Sequence, residues 1–122
     1  MKITKTENIY TDGSYQSENE SWHIEDSAWK AKKIFSLINR NNLRPKNVCE
    51  VGCGAGEILN QLLQMLDSDV SFLGYEISPQ AFKLAASRAK ERLTFSNENF
   101  YEDKKKFDLV LIIDVIEHVQ DY

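Results

Sequence analysis

Three glycines at alternate positions, Gly52, Gly54 and Gly56, follow a short apolar run and stand between two acids, Glu50 and Glu57. Glycine reaches backbone conformations with positive φ and lets a ligand lie against bare main chain. The residues that follow are amphipathic, and the first turn of a helix offers unpaired N–H groups to electron-rich ligand atoms. This order of strand, tight turn and helix predicts a cradle for a nucleotide or a nucleoside.

A further acid, Glu76, closes the next predicted strand, 24 residues after Gly52. A carboxylate in that position can accept hydrogen bonds from both hydroxyls of a ribose, because its two oxygens form a fork. The alternative is a structural role, in which the acid interacts with the dipole of the following helix. The glycine turn and this spacing together favour the ribose contact.

The dinucleotide-binding fingerprint requires a third glycine three residues after the second. Glu57 occupies that position here, and Gly56 lies two residues after Gly54. The preceding acid, Glu50, is unfavourable beside a phosphate and favourable beside an amino group or a sulfonium. The pattern therefore disfavours a pyrophosphate, and a nicotinamide-dependent oxidoreductase is kept only as an alternative.

The elements that must position these residues alternate along the chain. Residues 1–20 are polar and are interpreted as an arm, and residues 21–122 as one domain. Apolar residues at spacings of three and four predict a first helix. The predicted helices span 24–38, 57–66 and 78–92, with another beginning at 115, and the predicted strands span 47–51, 70–75, 93–96 and 107–113.

Strands that alternate with helices predict an α/β fold, a Rossmann-like, doubly wound parallel sheet with right-handed crossovers. Ser78 and Pro79 mark the start of the third helix, as N-cap and first helical residue. Ligands bind such sheets beyond the carboxyl ends of the strands. The residues expected there are the glycine turn, Glu76, Asn99 or its neighbours, and Asp114.

Three segments resemble the N-terminal half of a class I S-adenosylmethionine-dependent methyltransferase: EVGCGAGEIL (50–59), GYEISPQAFKLA (74–85) and FDLVLIIDVIEHV (107–119). Residues 20–30 are also similar to the lead-in of small-molecule methyltransferases. The resemblance implies S-adenosylmethionine as the cofactor and a small molecule as the methyl acceptor. The family's sheet has seven strands in the order three-two-one-four-five-seven-six. This chain supplies four of them, which implies a truncated sheet of order 3-2-1-4.

The resemblance also assigns roles to single residues. The turn 52–56, which includes Cys53, would lie under the methionine and ribose parts of the cofactor. Glu50 would reach the methionine amino group through water, and Glu76 would bind the ribose hydroxyls. The remaining assignments are Ile77 against the adenine, Asn99 at a position where many relatives carry an aspartate for the adenine amino group, a backbone N–H of Phe100 toward the adenine ring, and Asp114 and Val115 at the methionine end.

Methyl transfer requires mainly alignment of the acceptor with an already activated methyl group, so a general base is optional. His118 is the candidate for that base by residue type, and a structural role on a helix face is the alternative. Because strands five to seven and the substrate-binding insertions are absent, the chain is expected to bind the cofactor and to lack most of the acceptor site. A non-catalytic cofactor-binding module is therefore a second hypothesis.

Composition limits the remaining possibilities. The net charge of −4 gives no electrostatic footprint for nucleic acid. No apolar run is long enough to span a membrane, and no apolar leader opens the chain, so a cytoplasmic protein is expected. The two cysteines, Cys49 and Cys53, are expected as free, buried thiols, and no metal site is predicted. The apolar strand 107–113 would form an open edge, which predicts possible self-association.

Overall fold

The computed structural model describes residues 14–113, with side chains from residue 26 onward. Helices and strands alternate through this part of the chain, as the sequence predicted. The helices are α1 (Ser14–Arg40), α2 (Glu57–Met65) and α3 (Pro79–Ala86), the strands are β1 (Asn47–Val51), β2 (Ser71–Tyr75), β3 (Leu93–Ser96) and β4 (Leu109–Ile112), and a 3₁₀ turn spans Phe100–Glu102.

The four strands form one parallel sheet in the order β3-β2-β1-β4, which confirms the predicted topology. In β1, Val48 lies opposite Phe72 of β2 on one side and opposite Leu109 of β4 on the other. Because parallel crossovers are right-handed, the connections through α2 and α3 lie on one face, and the connection from β3 to β4 lies on the other. The strand order thus reverses between β1 and β4, which is where open sheets of this type bind ligands.

The core lies between one face of the sheet and the helices α1 and α2. Alternate strand residues point to this face, because successive side chains of a strand face opposite ways. The buried residues of this cluster include Ala31, Ile34 and Ile38 from α1, Leu59 and Leu62 from α2, and Val48, Phe72, Leu93 and Leu111 from the four strands. Burial of these side chains fixes the register of the strands and hence the position of every strand end.

The opposite face is less covered within the described residues. Cys49 and Tyr75 are buried there, whereas Val110 and Ile112 of β4 are 40% and 44% exposed. The uninterrupted apolar run of this strand is typical of a strand covered on both faces, and the described residues cover only one. β4 pairs with β1 alone, so the predicted edge position is confirmed for this part of the chain.

Two helix boundaries differ from the prediction by several residues. Helix α1 begins at Ser14, ten residues before the predicted start, so residues 14–20 of the expected arm are helical. Apolar periodicity marks only the packed part of a helix, and this polar extension carries no such signal. Helix α3 ends at Ala86 instead of residue 92, because Ser87 and Arg88 turn the chain into a bridge between Lys90 and Leu93.

The alanines near the end of α3 differ in burial. The predicted helix to residue 92 implies inward positions for Ala86 and Ala89, but both are exposed, whereas Ala81 and Ala85 are buried. The division into an arm of residues 1–20 and a domain of residues 21–122 stays a prediction. Across residues 14–113, no helix is both long enough and apolar enough to cross a bilayer.

Candidate functional site

The glycine turn joins β1 to α2 and is tied to β2 by its main chain. Gly52 N and Cys53 N both donate hydrogen bonds to the carbonyl oxygen of Tyr75, at 2.8 and 3.0 Å. Gly56 N donates to the carbonyl oxygen of Cys53 at 2.9 Å and closes the turn. These bonds hold the turn directly beyond the carboxyl end of β2, where the sequence placed the site.

Gly54 and Gly56 have positive φ angles, of 57° and 81°, but they serve different purposes. A Cβ atom on Gly54 would meet no atom within 4 Å, so open space lies over the main chain at this point. A Cβ atom on Gly56 would lie 2.6 Å from the ring of Phe95. Gly54 therefore leaves room for a ligand, and Gly56 leaves room for the packing of β3 against the turn.

Glu76 joins the glycine turn to the start of α3. Its Oε1 accepts a hydrogen bond from Gly54 N at 2.7 Å, and its Oε2 accepts one from Ser78 N at 2.9 Å. Ser78 does stand at the N-cap position, but its hydroxyl makes no capping hydrogen bond, so the predicted serine cap is corrected. Each carboxylate oxygen can accept a second hydrogen bond. The carboxylate therefore organises the turn and keeps acceptor capacity for a ligand hydroxyl.

Glu50 lies beneath the turn, where its residue is only 2% exposed. In the sheet it stands opposite Gly74 of β2 and Leu111 of β4, so it occupies the centre of the core-facing side. A cation bound nearby would stabilise the ionised form of this buried carboxylate, because opposite charges attract strongly where the dielectric is low. This placement suits an interaction with a cationic group above the strand ends.

Both cysteines are free and buried, which confirms the expectation of unpaired thiols. Burial first, and the charge of Glu50 second, raise the pKa of Cys49 to about 11. The same two causes, in the same order, also raise the pKa of Cys53. Both thiols are thus protonated at neutral pH and are poor nucleophiles.

Glu57 replaces the third glycine of a dinucleotide fingerprint and has a structural role that the sequence analysis missed. It is 9% exposed, and its carboxylate binds the guanidinium of Arg88. Its other oxygen accepts a hydrogen bond from Gln61 Nε2 at 2.7 Å. Arg88 is distant in the sequence and follows no motif, so no local pattern signals this pair. The pair fixes the first turn of α2 against the end of α3.

The predicted adenine contacts lie after β2 and β3. Ile77 is 74% exposed at the entrance to α3. The side chain of Asn99 caps the 3₁₀ turn, because its Oδ1 accepts a hydrogen bond from Tyr101 N at 2.9 Å. Phe100 stands edge-on to Tyr75, with 5.3 Å between the ring centroids. Asn99 and Phe100 therefore belong to one ordered segment at the carboxyl end of the sheet.

Three predicted site residues, Asp114, Val115 and His118, lie outside the described residues. The described part of the site therefore consists of Glu50, the turn 52–56, Glu76, Ile77, and Asn99 with the 3₁₀ turn that follows it. Within residues 14–113, no group of three or more His, Cys, Asp or Glu residues has the arrangement of a metal site.

A cavity of about 350 Å³ lies at the opposite, amino end of the strands. Asn47, Ser71 and Thr94 line it together with Lys105 and Phe107 from the crossover to β4. None of the predicted cofactor-binding residues borders this cavity. Because ligands of open parallel sheets bind at the carboxyl ends, we assign the candidate site to the glycine turn and not to the cavity.

Comparison with known proteins places this geometry in a family. A family model described as a methyltransferase domain matches residues 49–122. A bifunctional methyltransferase of Rickettsia bellii is 31% identical over 107 residues, which cover 80% of this chain and 19% of that protein. The norajmaline N-methyltransferase of Rauvolfia serpentina is 31% identical over 101 residues, which cover 75% of this chain and 34% of that protein. The chain thus spans well under half the length of these relatives.

The fold also matches solved structures. A magnesium protoporphyrin IX methyltransferase of Synechocystis, crystallised with bound SAM, superimposes with a TM-score of 0.70 at 19% identity. The match covers 96% of this chain and 64% of that one. At this identity the similarity establishes the shared fold, the Rossmann-like sheet with its crossover helices.

Proposed function

The chain belongs to the methyltransferase domain family, and we propose that it binds S-adenosylmethionine and forms the cofactor-binding part of an enzyme that methylates a small molecule. The single observation that carries this proposal is the bridge made by Glu76. Its carboxylate holds Gly54 N at 2.7 Å beside open space over the same glycine, and it retains free acceptor positions. A ribose whose two hydroxyls donate to Glu76 would lie over that bare main chain.

The chemistry of the other residues fits the same ligand. Glu50 places a buried carboxylate in β1, two residues before the turn, which suits an ion pair with the ammonium group at the methionine end of the cofactor. Ile77 offers an exposed apolar side chain to the adenine face. When bound, S-adenosylmethionine supplies a methyl group that its sulfonium already activates. The contribution of this chain is then to hold the ligand and to orient the methyl group toward the acceptor.

His118 is proposed as the general base where the acceptor requires one. Asp114 and Val115 are proposed to border the methionine end. A small-molecule acceptor is supported by the names of the relatives, since one methylates norajmaline and a structural neighbour acts on magnesium protoporphyrin IX. The net charge of −4 disfavours a nucleic-acid acceptor.

A cofactor-binding module without catalysis is the second candidate. The observation that favours it is that every predicted site residue among residues 14–113 is assigned to the cofactor and none to the acceptor. The nicotinamide alternative is disfavoured by Glu57. Its carboxylate is engaged by Arg88 at the position where a dinucleotide site requires glycine.

The open edge of β4 supports a further proposal, that two copies of the chain associate through residues 107–113. Val110 and Ile112 are exposed on a strand that pairs on one side only within the described residues. An edge of this kind offers unpaired main-chain groups to another strand. Light scattering at high protein concentration tests the proposal, and a strictly monomeric species would contradict it. A cytoplasmic location is proposed on composition alone.

Calorimetric titration of the purified chain with S-adenosylmethionine tests cofactor binding. Replacing Glu76 with alanine should weaken the affinity by about 10- to 100-fold, since hydrogen bonds to a charged group are lost. Glu91→Ala is the matched control, because Glu91 is an exposed acid at the amino end of the sheet. Equal affinity of wild type and Glu76→Ala would refute the ribose contact, and a wild-type chain that binds no cofactor would refute the proposal itself.

A further inference from the structure

Tyr75 is the last residue of β2 and contacts both sides of the candidate site. Its carbonyl oxygen accepts the hydrogen bonds of Gly52 N and Cys53 N, at 2.8 and 3.0 Å, and so holds the glycine turn. Its hydroxyl donates to Asp103 Oδ2 at 2.7 Å, and its ring stands edge-on to Phe100. One residue thus joins the turn to the segment that follows β3.

That segment, residues 99–103, is here called the Phe100 segment. Its internal hydrogen bonds are short-range: Tyr101 N donates to Asn99 Oδ1 at 2.9 Å, and Glu102 N donates to the carbonyl oxygen of Asn99 at 3.0 Å. A single turn of 3₁₀ helix is not stable by itself, because it has few bonds to offset the loss of backbone entropy. Its position must therefore come from contacts with the sheet, and Tyr75 provides a ring contact and a hydrogen bond.

The hydroxyl of Tyr75 is the part of this contact that packing does not require. The residue is 2% exposed, and a phenylalanine would fill the same space. A buried tyrosine hydroxyl needs a partner, and a carboxylate is a stronger acceptor than a neutral group. The hydrogen bond to Tyr75 is also the first cause that lowers the pKa of Asp103, so the acceptor is ionised at neutral pH.

We propose that Tyr75 is a positioning residue. Its hydroxyl, through Asp103, sets the distance between the Phe100 segment and the glycine turn, and this distance determines the affinity for the nucleoside part of the ligand. The inference rests on the proposed cofactor binding. Its physical basis is that one strand residue binds both parts of the site, the glycine turn through its carbonyl oxygen and the Phe100 segment through its side chain. Loss of the hydroxyl leaves the glycine turn in place and releases the Phe100 segment.

Tyr75→Phe removes only the hydroxyl, and Tyr101→Phe is the matched control. The control makes the same chemical change on a ring of the same segment that is 81% exposed. Affinity for S-adenosylhomocysteine should fall about 3- to 10-fold in Tyr75→Phe, the value expected for one hydrogen bond, and stay unchanged in Tyr101→Phe. Asp103→Ala should match Tyr75→Phe, and the double variant should lose no more than either single variant.

Amide hydrogen exchange of the protein without ligand gives an independent measurement. The amides of Tyr101 and Glu102 should exchange faster in Tyr75→Phe, whereas that of Gly52 should not change. Unchanged exchange at Tyr101 and Glu102 would overturn the inference whatever the affinity. Faster exchange with unchanged affinity would contradict the inference that the Tyr75 hydroxyl affects ligand binding. A wild-type chain that binds no ligand would overturn the proposed function, and the exchange rates would still decide whether Tyr75 holds the segment.

Discussion

A carboxylate binds main-chain N–H groups at each end of the sheet, Glu76 beyond β2 and Asp108 before β4. Glu76 accepts from Gly54 N at 2.7 Å and from Ser78 N at 2.9 Å. Asp108 accepts from Lys46 N at 2.7 Å and from Asn47 N at 3.4 Å. The two acids therefore make the same kind of bond, and the difference between them lies in the surroundings.

At the amino end the interaction is reciprocal. The main-chain N–H of Asp108 donates to Asn47 Oδ1 at 2.6 Å. Hydrogen bonds therefore run in both directions between the chain at the start of β1 and the chain at the start of β4. At the carboxyl end the bound N–H belongs to Gly54, over which there is open space. A carboxylate–amide bond therefore locks strand register where the second strand returns the bond, and prepares a ligand site where the bound N–H belongs to bare main chain.

The largest effect is expected from the two glycines that differ in their surroundings. Gly56→Ala should lower the free energy of unfolding by about 2–5 kcal/mol, because a positive φ and a contact with Phe95 at 2.6 Å add strain and overpacking. Gly54→Ala should cost only about 1–2 kcal/mol, since strain acts there alone. Urea unfolding measures both values. Equal losses would mean that the space over Gly54 is not open.

The buried thiols of Cys49 and Cys53 report how stably the region next to the glycine turn stays folded. Unfolded thiols ionise near pH 8.5, whereas Cys49 in the fold keeps its proton to about pH 11. Because the folded state then binds more protons than the unfolded state, stability is fully present below about pH 8.5 and falls as pH rises toward 11. The loss attributable to Cys49 should be on the order of 3 kcal/mol at pH 11.

Chemical denaturation at several pH values between 8 and 11 measures this loss. Cys49→Ala should make the profile shallower, and part of the remaining slope belongs to Cys53, whose pKa is also raised. In the native protein at pH 8, neither Cys49 nor Cys53 should react with a thiol reagent, and both should react in denaturant. Rapid labelling of the native protein would show that the region under the turn opens readily, which would remove the contrast between the two ends.

Substitutions of the two carboxylates, Glu76 and Asp108, should change stability less than Gly56→Ala does and should differ in their effect on ligand affinity. Asp108→Asn should lower the free energy of unfolding by about 0.5–1.5 kcal/mol, because the amide oxygen still accepts one hydrogen bond. Ligand affinity should stay unchanged, because residue 108 lies at the opposite end of the sheet from the site. Glu76→Gln should weaken S-adenosylmethionine binding by about 10-fold or more with a similar loss of stability. Calorimetric titration and urea unfolding of both variants provide the comparison. Reduced affinity in Asp108→Asn would show that the amino end is coupled to the site.

The same comparison explains what the sequence could predict. The glycine turn, the β1 boundaries and the position of Glu76 were predicted because each depends on a local pattern: alternate glycines, a short apolar run and an acid at a strand end. The sheet order followed from the family resemblance and is confirmed. Ligand contacts of Glu50, Ile77 and Asn99 stay predictions.

Long-range pairs could not be predicted in this way. Tyr75 with Asp103, Glu57 with Arg88 and Lys46 N with Asp108 join residues that are 28, 31 and 62 positions apart. Such pairs depend on the packing of the finished fold, and neither residue of a pair carries a local signal. The same reason explains why the end of α3 was misplaced, since the turn at Ser87 and Arg88 is set by contacts with β3 and α2.

The smallest effect is expected from the ion pair of Lys46 and Asp69 at the amino end. The two side chains are 67% and 57% exposed, so solvent and salt screen their attraction. The amino end is held instead by the main-chain N–H of Lys46, which Lys46→Ala retains. The urea midpoint of Lys46→Ala should therefore equal that of the wild type at high salt and differ little at low salt. A loss as large as that of Asp108→Asn would show that the ammonium group, and not the main chain, locks this end of the sheet.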